Sequence, residues 1–371
     1  MARHITHDPV YDTVADDDFP AMLESDRYGA RSGAFDEIIS LTHDHFWDPM
    51  DPAYLDYATP FDTDREYLMP RAAVPELNCA VADRLDEGQQ VRLANEIMRW
   101  NLSGILHGEQ GALSLSAGLC RMLKDPGAQE YAANQTREEA RHVTAFSRYI
   151  AARWGRPYPI GDTLGELLAE LVAAPEVYKK LVGMQMLVEG LAMGSFAFFH
   201  AQTGDPLLKR LTQLVMTDEA FHHRFGKIWA ERTMPALSAE EHDRVEDWAA
   251  RCFETLLFNM VNVRQRRAVY PRFGLDWEWV RGACREVYDD SHRRDELRKD
   301  TSVMRVLVKT LVGAGIVTRR TRHVYGAWVD MGEIEASGGH DALGEAIAAE
   351  GIESLRAINR RRKVIGQKPV A

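Results

Sequence analysis

The chain has 371 residues, 45% of them hydrophobic, and a net charge of −11. That length supports one large domain or two small ones with a sizeable core, and the acidic balance excludes generic nucleic-acid binding. Four scattered cysteines with no C-x-x-C pair suit reduced thiols and exclude the usual zinc and iron–sulfur signatures.

The N-terminal stretch MARHITHDPVYDTVADDD is polar and acidic, so it does not read as a signal peptide, and a cytoplasmic protein is expected. Residues 1–75 are poorly periodic and rich in Asp, Pro and aromatics. They read as an arm with short helical turns, for example over 35–42, that packs through Trp47, Tyr54, Tyr57 and Phe61 onto the rest of the chain. His43 and His45 in this arm read as surface or hydrogen-bonded residues.

Residues 76–236 carry four consecutive helical stretches. The first spans about 90–123 and contains Glu109. Asp125-Pro126 opens the second, with Asp as N-cap and Pro at the first helical position, and it contains Glu139 and His142. Gly155–Gly161 breaks the pattern, and a short crossover helix covers about 164–173. The third stretch opens at Pro175 and contains Glu189. Its run LVGMQMLVEGLAMGSFAFF comes nearest to a membrane span, but Gln185 and Glu189 near the middle fit a buried helix better, so no span is expected. Asp205-Pro206 opens the fourth, with Glu219 and His222.

Residues 237–371 read as a helical extension of the same domain. A capping box at Ser238 starts a helix to about Arg267, with Trp248, Phe253, Leu256, Leu257 and Met260 as its buried stripe and RQRR (264–267) as a solvated end. Helices are expected over 277–289, 295–317 and 341–361, the last with a basic, solvated NRRRK tail. Nothing is strand-rich and no Gly-rich phosphate loop occurs, so the fold class is all-α.

The chemistry lies in a doubled pattern. Glu139-Ala-Arg-His142 and Glu219-Ala-Phe-His222 are both Glu-x-x-His, which places carboxylate and imidazole on one helix face. Each has a glutamate thirty residues upstream, at 109 before 139 and at 189 before 219. The Asp-Pro starts also recur fourteen residues before each motif glutamate, at 125 and 205. Four carboxylates and two imidazoles on four helices are the ligand set of a carboxylate-bridged di-iron or di-manganese centre. Hard oxygen donors with one imidazole per metal suit iron or manganese. The expected ligands are Glu109, Glu139 and His142 on one metal and Glu189, Glu219 and His222 on the other, with Glu139 and Glu219 bridging. Glu138 and Asp218 precede the motif glutamates, and the near-twofold symmetry predicts that Asp218 contacts His142 and that Glu138 contacts His222. Arg141 belongs to the same supporting layer. The cavity is expected at Leu106, Leu113, Phe146, Met186, Met193, Phe196, Val215 and Phe221, on the ligand faces.

Glu138-Glu139-Ala-Arg141-His142 and Thr217-Asp218-Glu219-Ala-Phe221-His222-His223 are similar to the paired elements of the ferritin-like di-iron oxygenase superfamily, which includes multicomponent monooxygenases, benzoyl-CoA-epoxidase-type enzymes, arylamine N-oxygenases and acyl-ACP desaturases. The resemblance covers about residues 90–235. It implies a ferritin-like four-helix bundle with an N-terminal arm and extra C-terminal helices. It also implies two iron ions, as Fe/Fe or Mn/Fe, and an O₂-dependent monooxygenase with electrons from a reductase or ferredoxin. The expected reaction is hydroxylation, epoxidation or N-oxygenation of a small organic substrate. A di-iron acyl desaturase and a non-catalytic iron-binding or radical-generating protein remain as alternatives. Ala192 and Met193 stand where some hydroxylases and desaturases carry a threonine, and Val215 stands where the N-oxygenases carry a seventh ligand. A homodimer is expected from base rates and the aromatic arm.

Overall fold

The computed structural model describes residues 9–43, 45–288, 303–336 and 345–362, and its elements are all helical. One isolated bridge, Thr13 with Leu123, is the sole β pairing among the described residues.

The arm contains several short turns and α1 (Asp36–Thr42). A capping box of Asp86 and Gln89 starts α2 (Glu87–Met122). Asp125 accepts from the Gly127 amide to start α3 (Pro126–Trp154), and Gly155, at φ 83°, ends it where a side chain would be strained. The crossover is α4 (Asp162–Ala173). A turn at Val177–Lys180 then enters a π-helical segment, Leu181–Val188, which continues as α5 (Glu189–Gln202). Asp205 caps α6 (Pro206–Thr233), and Ser238 with Glu241 caps α7 (Ala239–Val261). Beyond them lie α8 (Trp277–Val287), α9 (Val303–Gly313) and α10 (Glu345–Arg362).

The two largest helix contacts are α2 with α3 and α5 with α6, and α3 meets α6 between the pairs. The stretch Val177–Gln202 is long and apolar enough to cross a membrane, yet 72% of its most apolar window is buried inside the protein. Its π segment interrupts the regular ladder, and the Gln185 carbonyl lies 3.2 Å from Nδ1 of His223. Gly226 lets α6 approach this segment, because a Cβ there would sit 2.9 Å from that of Gln185.

The arm is built into the core. Trp47, Tyr54, Leu55, Leu68 and Met69 are buried with Leu102, Phe146 and Leu211. Helix α10 runs along α6 and holds the arm from outside: Asn359 accepts from the Tyr54 hydroxyl and donates to the Phe46 carbonyl at 2.7 Å.

Two expectations change. The helix from Ser238 stops at Val261, and the RQRR stretch is a short 3-10 turn rather than a solvated helix end. Arg266 in it is buried, because Glu76 and Tyr270 fold over it. Residues 289–302, at the junction of the helices expected at 277–289 and 295–317, lie outside the described residues, as do 341–344 of the expected last helix, Lys363 of its basic tail, and the side chains of Leu257 and Met260.

Candidate metal centre

Helix spacing and the packing of four helices bring the six predicted ligands to one place. Ligand atoms of Glu109, Glu139, His142 and Glu219 lie within 4.8 Å of one another, and so do those of Glu139, Glu189, Glu219 and His222. Glu139 and Glu219 belong to both sets. Nδ1 of His142 is 3.2 Å from Glu109, 3.3 Å from Glu139 and 3.2 Å from Glu219. Nδ1 of His222 is 3.1 Å from Glu139 and 3.3 Å from Glu219. All six residues are buried.

Both imidazoles turn Nδ1 to the centre and Nε2 away from it. Nε2 of His142 lies 2.8 Å from Asp218, and Nε2 of His222 lies 2.9 Å from Glu138. A carboxylate accepts, so each Nε2 carries the proton and each Nδ1 can offer a lone pair inward. Asp218 also receives both arms of Arg141 and the Trp47 indole N–H at 3.0 Å, and His45 Nε2 lies 3.1 Å from it. Trp47 stacks on His142 with ring centroids 6.0 Å apart. Glu138 has the more distant Arg141 at 3.7 Å. Gln135 Nε2 bridges Glu139 at 3.1 Å and Glu189 at 2.8 Å, and Gln185 donates to its carbonyl at 3.0 Å.

The electrostatics of the centre call for cations. Burial pushes the Glu109 and Glu189 carboxyls well above the ordinary carboxylate range; His142 offsets this for Glu109, whereas Glu219 adds to it for Glu189. Burial also opposes ionisation of Glu139 and Asp218. The two imidazoles nevertheless hold Glu139 low, and Arg141 with His142 and His45 holds Asp218 well below its usual value. Burial opposes charge on His142 and His222, but Glu109 and Glu219 lead the carboxylates that raise them well above the usual imidazole value. Oε2 of Glu139, Glu189 and Glu219, and Nδ1 of His222, are buried with no hydrogen-bond partner among the described residues. Four carboxylates, three of them with an orphaned oxygen, around two inward-facing imidazole nitrogens fit two divalent cations, whose charge they balance.

A cavity of about 330 Å³ reaches Glu109, Glu189 and Glu219. It lies between α2 and α5, where Gly104, Gly108 and Ala192 leave room. A Cβ on Gly108 would meet nothing within 4 Å. The eight apolar positions expected to form the cavity do not line it. Leu106, Phe146, Met193, Phe196 and Val215 pack with Trp47, Met186 and Phe221 pack in the neighbouring core, and Leu113 is half-buried. Large side chains fill space on their own face, and the opening forms where small residues face each other.

Sequence reasoning missed the supporting roles of Gln135, Trp47 and His45. Gln135 sits four residues before Glu139 on the same helix face, so spacing alone could have found it. Trp47 and Asp218 are 171 residues apart, and no local signal joins them. His107 and His223 bond backbone carbonyls of Tyr158 and Gln185, away from the ligand cluster. Tyr149 donates to Asp205, the cap of α6. Comparison with family models, with curated proteins and with solved structures finds no match to this chain.

Proposed function

We propose that the protein is a non-haem di-iron oxygenase of ferritin-like bundle architecture that oxidises a small organic substrate by hydroxylation, epoxidation or N-oxygenation. The observation that carries this reading is the pair of donor sets sharing Glu139 and Glu219, open on one side to a cavity. Glu109, Glu139 and His142 would hold one iron, and Glu189, Glu219 and His222 the other. Bound iron would supply the two-electron activation of O₂. One oxygen atom enters the substrate and the other leaves as water, with two electrons and two protons supplied through a separate reductase or ferredoxin.

The chain's own part is positional. Asp218 and Glu138 fix the tautomer and aim of the two imidazoles. Gln135 ties Glu139 to Glu189 across two helices. The apolar core around Phe146 and Phe196, which stack at 5.7 Å, shields the ligands from water on the closed side. A cavity at the small end of the ligand-pocket range supports a ring-sized substrate over a long acyl chain.

The test is anaerobic iron titration followed by O₂ and reductant. Near two irons per chain, with O₂ uptake matched to reductant, is the expected result. At most one iron per chain, unaffected by Glu139→Ala or Glu219→Ala, would overturn the reading.

A further inference from the structure

Resting on that reading, we propose that the substrate is a compact apolar molecule bearing one carboxylate, and that Arg266 holds this carboxylate at the outer end of the cavity.

The cavity has two unlike ends. Its walls follow α2 from Trp100 to Ala112. The inner end is Glu109, Glu189 and Glu219. Arg266 belongs to the other end: its partner Tyr270, which bonds Glu76, packs in one cluster with Leu93, Ala94 and Ile97 in the N-terminal third of α2. Neighbouring Gln265 and Arg267 bond Thr163 and Asp162 at the start of α4, beside the lining residue Gly161.

Arg266 is a buried cation with donors to spare. Its ion pair with Glu76 is a single contact at 3.3 Å. Arg153 shows what a saturated arginine looks like in this protein, gripping Asp205 with two contacts at 2.7 and 3.0 Å. A guanidinium has five N–H groups in a planar fork, and beyond Glu76 and Tyr270 the fork of Arg266 meets no acceptor among the described residues. Asn101 lines the same end, and its amide donates only to the Met98 sulfur at 3.7 Å. An end rich in unused donors calls for a ligand rich in acceptors, and the arginine fork matches a carboxylate. Between the ends the walls are Ile105, Leu164, Val188 and Leu191, so the body of the ligand is apolar. This orientation keeps the anionic group away from the glutamates and presents the apolar end to the metals.

The probes are benzoate, 1-naphthoate and cyclohexanecarboxylate, with toluene as the neutral control, titrated calorimetrically into metal-free and iron-loaded protein. Two variants are compared with the wild type. Glu76→Gln/Arg266→Met removes the cation without leaving Glu76 charged and unpaired, and Gly108→Leu fills the cavity. The expected result is saturable binding of at least one carboxylate to both forms, weakened about 10- to 100-fold in the double variant with toluene affinity retained. Gly108→Leu should abolish binding of both kinds of probe while iron per chain and unfolding temperature stay as in the wild type. The proposal is overturned if none of the three carboxylates binds, or if binding is the same in the double variant or in Gly108→Leu. Binding to the metal-free form reads the cavity alone. Failure of iron loading with carboxylate binding intact would therefore sink the di-iron reading and leave Arg266 as a carboxylate site without the oxidation.

Discussion

The two Glu-x-x-His halves are near copies in sequence, yet the structure supports them unequally. On the first side, Asp218 gathers His142, Arg141, Trp47 and His45 into one buried network. On the second, Glu138 has His222 at 2.9 Å and Arg141 at 3.7 Å. The helices differ as well, since Glu109 stands within a regular α-helix and Glu189 follows a π segment. The duplicated imidazoles thus rest on a densely bonded carboxylate and a sparsely bonded one. In the proposed centre this difference would make the two metal positions unlike, with the cavity touching both donor sets.

The strongest way to break this comparison is to remove what the halves share. Glu139→Ala or Glu219→Ala should take metal binding from two ions per chain to one or none, because each oxygen pair serves both donor sets. Glu109→Ala and Glu189→Ala should each leave one ion bound, as read by metal analysis after gel filtration.

Asymmetry of support predicts a difference in stability. Asp218→Ala strands a buried arginine and should cost about 3–5 kcal/mol in urea unfolding. Glu138→Ala should cost about 1–3 kcal/mol. Equal costs would mean that the halves are held alike. Trp47→Phe removes a single donor to a charged acceptor and should cost about 1.5–3 kcal/mol, with iron release faster from the first side than from the second.

The smallest effect expected is the pH response of metal-free protein. Glu109 and Glu189 have raised folded values, so their contribution is full below the ordinary carboxylate value of 4.5 and is lost as pH rises through the raised values. His142 and His222 act in the same sense, with full contribution below 6.5. Glu139 and Asp218, held low, contribute above their ordinary values and lose that contribution only as pH falls through the depressed ones. Metal-free protein should therefore lose thermal stability from neutral to alkaline pH. Metal should restore most of it, and its uptake should release protons. A stability that is flat with pH in the metal-free form would contradict this account.

The sequence spoke clearly where chemistry repeats at fixed helical spacing. Glu139 with His142 and Glu219 with His222 needed only the three-residue step, and the contacts of Asp218 with His142 and of Glu138 with His222 followed from treating the two halves as a symmetric pair. The cavity was illegible because it depends on which small residues face each other across α2 and α5, not on either helix alone. Arg266 looked solvated in RQRR because its buried partner, Glu76, lies far earlier in the chain. The contacts of Trp47 and His45 were hidden for the same reason. The run LVGMQMLV carries no mark that distinguishes a π turn from an α turn.

That run bears on how the chain tolerates length changes. A π turn closes on the fifth residue ahead rather than the fourth, so it stores one residue more than an α turn. Excising one residue from Leu181–Val188 would let the segment relax into a regular α-helix. The turns before and after the cut would keep their faces, whereas the same excision from the regular α2 would rotate everything on one side of the cut by about 100° relative to the other. A one-codon deletion within Leu181–Val188 should therefore keep metal binding, whereas one in α2 between Val91 and Glu109 should abolish it.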